Sequence, residues 1–417
     1  MKTIWIIDHY SSEPKYGGIS RQYDFARELD KRGYKTIIIS SAFSHYTHKY
    51  LFEEEYTISK FANNSFYVYL RTHKYLKNAG LDRAKNMFSF KLAVEKNYKT
   101  IAEKLGSPDV VTGCSIHPLA WPAAYKIAKY YGVRFIAEVR DLWPEVFLLN
   151  GEKKPYDPMV IFWGLLEKWT YRKADKIIYS MLYGDNYICD KLGFPKEKVA
   201  LIGQPLDCER YEYNANNNFD MIPVEVKKFI DNSFFCVFTG YYMEYEGVYV
   251  MLEAAKMLKD EKKPIKFLFV GSGQEQAGME KYVQENGLDN TMVYGRISKE
   301  AIPALLRKAN VCLAHCASKG REESFKYGIS KNKVNEYMYS KACVIYGRGD
   351  VNDPVALSGA GYVIEPFHPE QFVKKIIEVY EMTTAEREKF GSCGCSYVNE
   401  NHRVDKLVNK LLGVYGI

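Results

Sequence analysis

"FFCVFTGYYMEYEGVYVMLEAAKMLKDEKKPIKFLFVG", residues 234–271, holds an apolar run, a helical run and a second apolar run. FFCVFTG (234–240) and IKFLFVG (265–271) are nearly continuous in apolar character. A strand without polar alternation is covered on both faces, the condition of a central strand in a parallel sheet. Between them, GVYVMLEAAKMLKD spaces its apolar residues at helical period. Strand, helix, strand in that order predicts a right-handed parallel crossover.

The same alternation runs along the whole chain. Before residue 205 the strand-like runs are TIWIID (3–8), KTIIIS (35–40), FYVYL (66–70), DVVTGC (109–114), RFIAEV (134–139), KIIYS (176–180) and VALIG (199–203). After it come the two runs above, then TMVYG (291–295), VCLAH (311–315), ACVIYG (342–347) and GYVIEP (361–366). At 417 residues the chain exceeds one ordinary core,. The expected architecture is α/β, with two doubly wound parallel-sheet domains facing each other across a cleft. Residues 1–205 form the first, 206–395 the second, and a helical tail, 396–417, crosses back to the first. The polar Asn214–Asn218 cluster reads as the end of the linker,.

Hydrophobic residues make up 47% and charged residues 26%, an ordinary globular balance,. The net charge of +7 is concentrated: residues 71–104 carry nine basic residues against three acidic ones. Apolar residues run through that segment, so a solvated helix face and a patch for anionic lipid head groups both fit. The aromatic stretch PMVIFWGLLEKWTYRKAD (158–175) could support such a patch,. No nucleic-acid-binding motif accompanies the charge. Nine scattered cysteines have neither a disulfide framework nor zinc spacing, which predicts reduced thiols,. MKTIWIIDHY reads as a buried strand, not a leader, and no run reaches the length of a membrane span,.

In open α/β sheets ligands bind beyond the carboxyl ends of the strands, so the loops after strands matter. Gly17 and Gly18 precede a helix, where backbone N–H groups can meet a phosphate, although GxGxxG is absent,. His117 follows the fourth run; Glu138, Arg140, Asp141 and Glu145 surround the end of the fifth. In the second half Gly240, Tyr241, Gly271, Gly273, Arg296 and Ile297 stand at strand ends. In KYGISKNKVNEYM (326–338), Lys331 and Lys333 approach a helix N-terminus and Glu336 lies on its first turns. Each loop alone fits an ordinary turn; together, at corresponding ends of two sheets, they point to an anionic ligand.

The stretches KYGGISRQYDFARELDKRGY, EVRDLWPE, EKWTYRKADKII, FTGYYMEYEGVYVMLEAAKML, KYGISKNKVNEYM and NDPVALSGAGYVIEP carry a likeness covering almost the whole chain. It resembles the retaining family 4 glycosyltransferases of GT-B fold, among them bacterial surface-polysaccharide N-acetylamino-sugar transferases. The resemblance implies sugar transfer from a UDP-type nucleotide sugar with retention, without metal or other cofactor. It implies a saccharide acceptor, carried on a polyprenyl diphosphate, in capsule or O-antigen synthesis. The protein would be cytoplasmic, peripheral on the inner face of the cell membrane through 71–104 and 158–175, and would bind no nucleic acid. By the same likeness Arg296 and Ile297 lie near the base and Glu336 near the ribose. Ser330, Asn332 and Lys333, with Lys331, lie near the diphosphate, and Gly240, Tyr241 and Gly271 line the same nucleotide-sugar site. Gly17 and Gly18 close over the phosphates. His117, Arg140 and Asp141 face the transferred sugar and acceptor hydroxyl as the catalytic set.

The chain departs from that pattern in three places. Gly328 stands where many relatives have a first glutamate, eight positions before Glu336. GYYMEYEG lacks the Arg and Lys common after the first strand of the second domain. Arg140 stands where many have His. A sugar-nucleotide epimerase of similar fold and a non-catalytic sugar-nucleotide-binding protein are the alternatives.

Overall fold

Ile4 and Ile6 face one side of the first strand, and Trp5 and Ile7 the other; all four are fully buried in two separate apolar clusters. The sheet they belong to is therefore covered on both faces, as the continuous apolar runs predict. The computed structural model describes residues 1–17, 20–76, 80–317, 325–328, 330–349 and 353–417. The chain divides into two units: Met1–Pro205 with Lys326–Ser330 and Val404–Ile417, and Leu206–Phe325 with Lys331–Arg403.

In the first unit the strands are Thr3–Ile7 (β1), Lys35–Ser41 (β2), Tyr56–Lys60 (β3), Ser65–Leu70 (β4), Val110–Ser115 (β5), Arg134–Val139 (β6), Lys176–Tyr179 (β7) and Val199–Leu201 (β8). They lie in the order β3-β4-β2-β1-β5-β6-β7-β8, with only β3 antiparallel to its neighbour. The chain winds outward from β1 in both directions, so β1 and β5 flank the point where the order reverses,.

The second unit contains Phe234–Tyr241 (β9), Ile265–Ser272 (β10), Thr291–Tyr294 (β11), Val311–His315 (β12), Cys343–Gly347 (β13) and Gly361–Ile364 (β14). All pairs are parallel, in the order β11-β10-β9-β12-β13-β14, and the reversal lies between β9 and β12. Phe238, Phe267, Phe269, Leu313 and Ile345 pack its core against the helices Val248–Asp260 and Pro369–Glu381.

The expected tail, 396–417, falls into two parts. Residues 396–401 are the last turns of the helix Thr384–Asn401, which begins at a capping box between Thr383 and Glu386 and stays in the second unit. The segment belonging to the first unit starts only at Val404. There Leu407, Val408, Leu411 and Tyr415 join the cluster of Ile4 and Ile6, and Thr112 donates to the Tyr415 hydroxyl at 3.0 Å. The break falls where the helix Thr384–Asn401 gives way to Val404–Tyr415.

Candidate active site

At the reversal point of the first sheet, two histidines meet. His9, just past β1, presents Nδ1 to Nε2 of His117, just past β5. The His9 ring is stacked between Phe90 (4.1 Å between centroids) and Tyr10 (4.4 Å). Both histidines are buried. Burial holds His117 down at about 3 and His9 well below the usual range, so both rings are neutral,. Leu119 N–H donates to Nδ1 of His117 at 3.3 Å. A neutral ring has one N–H; with Nδ1 accepting, the proton of His117 sits on Nε2 and is donated to His9. His9 then carries its own proton on Nε2, which has no hydrogen-bond partner among the described residues.

A second cluster lies on the other side of the same strand end, as alternation of side chains along a strand requires. Asp8 Oδ2 lies 3.7 Å from Arg140 Nη1. Burial, with Glu138 nearby, raises the Asp8 carboxyl to about 6 against the pull of Arg140. Glu138 is the anchor: it takes Arg21 Nε at 2.6 Å, Gln22 Nε2 at 2.5 Å and Cys114 Sγ at 2.8 Å. Burial opposes its ionisation, but Arg21 and Arg140 hold it below the ordinary carboxylate range. Arg21 is completed by the carbonyls of Ile202 and Gly203. Arg140 keeps Nε and Nη1 free of hydrogen bonds among the described residues, and Asp141 is exposed in the following turn. No hydrogen bond or ion pair joins His117 to Arg140 or Asp141 among the described residues. The expected catalytic set is thus divided between two clusters. Gly17 has a left-handed φ of 74° ahead of the helix Arg21–Lys31; Gly18 lies outside the described residues.

In the second unit the expected cations converge at the reversal point between β9 and β12. The helix Asn332–Tyr339 starts beside Lys331. Lys333 Nζ lies 2.5 Å from Glu246 Oε2, and Lys331 Nζ 3.1 Å from Glu246 Oε1 and 2.9 Å from the His315 carbonyl. Lys333 also sits 4.1 Å from the centre of the Phe238 ring. Its ammonium would be 3.2 Å from a Cβ on Gly240, whose φ of 143° already favours glycine. Burial, offset in part by Glu246, brings Lys333 down to about 8. At Gly271 a Cβ would fall 1.8 Å from the Gly240 carbonyl oxygen, so no side chain fits between these strand ends. His315 donates from Nδ1 to the Tyr245 carbonyl at 3.0 Å, and burial holds it neutral at about 4. Arg296 is exposed and donates to Ser272 Oγ at 2.6 Å; Ile297 and Glu336 are half-buried, and Tyr241 and Asn332 are exposed.

Ser330 is half-buried. It belongs to the first unit with Lys326, Tyr327 and Gly328, and only from Lys331 onward does the loop belong to the second. Gly328 has φ 85°, and a Cβ there would meet Leu182 N at 3.0 Å. Tyr183 N–H donates to the Tyr327 carbonyl beside it at 3.1 Å. Sequence reasoning misses Asp8, His9, Arg21, Glu246 and His315 as site residues. Asp8, His9 and His315 stand at strand ends, the signal that could have found them; Glu246 has none.

Among the described residues no group of three His, Cys, Asp or Glu side chains could hold a metal, and no helix is long and apolar enough to cross a membrane. Residues 77–79 of the basic segment lie outside the described residues.

Residues 16–210 match the family model described as Glycosyltransferase Family 4, and residues 224–394 the one described as Glycosyl transferases group 1. The chain is 26% identical over 230 residues to WcaI of Escherichia coli strain K12, whose name describes a colanic acid biosynthesis glycosyl transferase. That match spans 54% of this chain and 55% of WcaI, about half of each. Among solved structures, sucrose-phosphate synthase of Thermosynechococcus elongatus aligns with a TM-score of 0.72 at 14% identity, covering 100% of this chain and 98% of the other. HepE of Anabaena, solved with UDP and glucose, aligns at 0.66 and 13%, covering 100% of both chains.

Proposed function

Because the chain belongs to the family 4 glycosyltransferases of GT-B fold, we propose that it moves a sugar from a UDP-type donor to a lipid-linked saccharide with retention of configuration. The sugar is an N-acetylamino sugar, and the product a bacterial surface polysaccharide. The observation that carries this reading is the convergence of Lys331 and Lys333 beside Gly240, at the reversal point of the second sheet. The leaving group is a nucleoside diphosphate, and its developing charge is the main thing a transferase must stabilise. Two ammonium groups, with the N-terminus of the helix Asn332–Tyr339 beside them, suit that task,. The UDP complex of HepE and the polysaccharide pathway in the name of WcaI support the donor class and the product.

In this reading Glu336 accepts from the ribose hydroxyls, Arg296 and Ile297 flank the base, and the neutral His9–His117 pair and Arg140 serve the sugar and acceptor hydroxyls. The acceptor approaches from an anionic membrane surface on the cytoplasmic side. Two neighbouring helices of the first unit support that last step. Leu81–Leu105 exposes Leu81, Phe88 and Leu92, and Pro158–Lys173 exposes Ile161, Phe162 and Leu165. The two helices share a small cluster through Met87 and Trp163.

The test is incubation with a panel of UDP-sugars and polyprenyl-diphosphate saccharides, following released UDP and extended lipid, with NMR of the anomeric linkage. UDP release with a product that keeps the donor's anomeric configuration supports the assignment. Binding without release under every acceptor would mark a non-catalytic sugar-nucleotide-binding protein, and sugar interconversion without acceptor an epimerase.

A further inference from the structure

Glu246 is an acid placed where the donor site needs positive charge. It closes the short turn Glu244–Glu246 after β9, and its side chain is only 7% exposed. Each carboxylate oxygen faces a different lysine, Oε1 toward Lys331 and Oε2 toward Lys333. The next residue, Gly247, has a left-handed φ of 65°, and a Cβ there would strike the His315 ring at 2.3 Å. The backbone of the turn is therefore fixed by a contact only glycine permits, and the Glu246 side chain is held by its two ion pairs,.

We propose that Glu246 is a positioning residue of the donor site, which holds Lys331 and Lys333 together as a cationic pair against Gly240 so that both meet the diphosphate charged. This rests on the donor-site reading above. Two buried ammonium groups alone would repel, and one would lose its proton; a carboxylate shared between them removes that penalty. The cost is a negative charge near an anionic ligand, so Glu246 helps only where Lys333 would otherwise be neutral. Burial already works against the Lys333 ammonium, and Lys331 adds to it, while Glu246 opposes both. The other titratable neighbours stay uncharged near neutral pH. His315 is held at about 4, Tyr245 is raised to about 12, and burial raises the Cys316 thiol. Arg348, whose charge acts on Cys316, stays protonated throughout.

The experiment is calorimetric titration of the full chain with UDP and with uridine from pH 6.5 to 9.5. The terminal phosphate, with a second pKa of about 6, is about nine-tenths ionised at pH 7 and changes little above it. Wild-type UDP affinity should fall as pH rises through the Lys333 titration, near 8. In Glu246→Gln that fall should move down by about one pH unit, with uridine affinity unchanged. The variant should bind UDP at least as well as wild type at the acid end, where both lysines are charged and the repelling carboxylate is gone. Lys331→Met should move the fall upward, which keeps the test open if Glu246→Gln does not fold. A purely structural role would lower UDP and uridine affinity together at every pH, and superimposable pH profiles in both variants would overturn the inference. Failure of wild-type protein to bind UDP at any pH would instead overturn the donor-site reading.

Discussion

His117 Nε2 donates to His9 Nδ1, because the only other nitrogen of His117 already accepts Leu119 N–H. The ring with an N–H unpartnered among the described residues is therefore that of His9, and His117 is placed to fix its tautomer. His117→Gln keeps a donor for His9, whereas His117→Leu leaves a buried acceptor unpaired, at about 1–3 kcal/mol. The leucine variant should unfold at lower urea and lose transfer activity about tenfold or more relative to glutamine. Equal activity in the two variants would remove His117 from that positioning role.

Glu336 and Lys333 should fail in different ways. A carboxylate accepting from ribose hydroxyls makes charge-assisted bonds of about 1.5–3 kcal/mol. Glu336→Ala should weaken UDP and uridine alike, and should abolish discrimination between uridine and its 2′-deoxy form. Lys333→Ala should weaken UDP by about tenfold or more while sparing uridine. Calorimetry with the three ligands separates these outcomes, and unchanged UDP affinity in either variant contradicts that residue's role.

Glu167 supplies a stability prediction away from the donor. It is buried and accepts from the hydroxyls of Tyr171 at 3.0 Å and Tyr187 at 2.8 Å, and burial raises it to about 8. The folded protein thus holds a proton that the unfolded chain releases above its ordinary value of 4.5. Stability is lost as pH rises from 4.5 toward 8, by an amount on the order of a few kcal/mol,. Glu167→Gln keeps the shape without the titration. Its melting temperature should exceed that of wild type at pH 8.5 and converge with it near pH 5; parallel curves would show that Glu167 does not titrate in this range.

The membrane prediction turns on which force dominates. Leu81, Lys85, Phe88, Leu92, Lys96 and Lys99 fall on the outer face of one helix, all exposed. Lys85 and Lys96 already pair with Asp82 and Glu55. Each lysine adds about 1 kcal/mol at an anionic surface at best. A buried large apolar side chain contributes about 1.5–3 kcal/mol. The triple variant Phe88→Ser, Leu92→Ser, Leu165→Ser should therefore lose more binding to phosphatidylglycerol vesicles than raising salt to 0.5 M removes from wild type. Flotation assays read both, and undiminished flotation of the variant would exclude this face.

The architecture is legible because parallel strands buried on both faces leave continuous apolar runs. β3 escapes for the opposite reason: YTISK is a half-buried antiparallel edge strand, with no such run. The loop-after-strand rule locates Lys331, Lys333, His117 and Arg140, but not the partners that decide their state. His9 escapes because Asp8 marks the end of an apolar run, although both residues continue beside β2. Glu246 looks like a surface acid in a short turn. Ser330 and Lys331 are neighbours in sequence yet belong to different units, a division that spacing alone does not carry.

Gly328 tests whether the departure from the usual two-glutamate pattern can be reversed. Its φ of 85° lies in the left-handed region, where a side chain costs about 1–2 kcal/mol,. A Cβ would also lie 3.0 Å from Leu182 N and 3.4 Å from Leu182 Cβ, so the backbone at 182 would have to give. Gly328→Glu should consequently destabilise the protein by about 2 kcal/mol or more, and Gly328→Ala by nearly as much. The glutamate variant should gain no UDP affinity, because its Cβ is directed at the backbone of Leu182 and Tyr183. Chemical denaturation and UDP titration of both variants decide the matter. A glutamate variant of wild-type stability that binds UDP more tightly would mean that residue 328 reaches the donor after all.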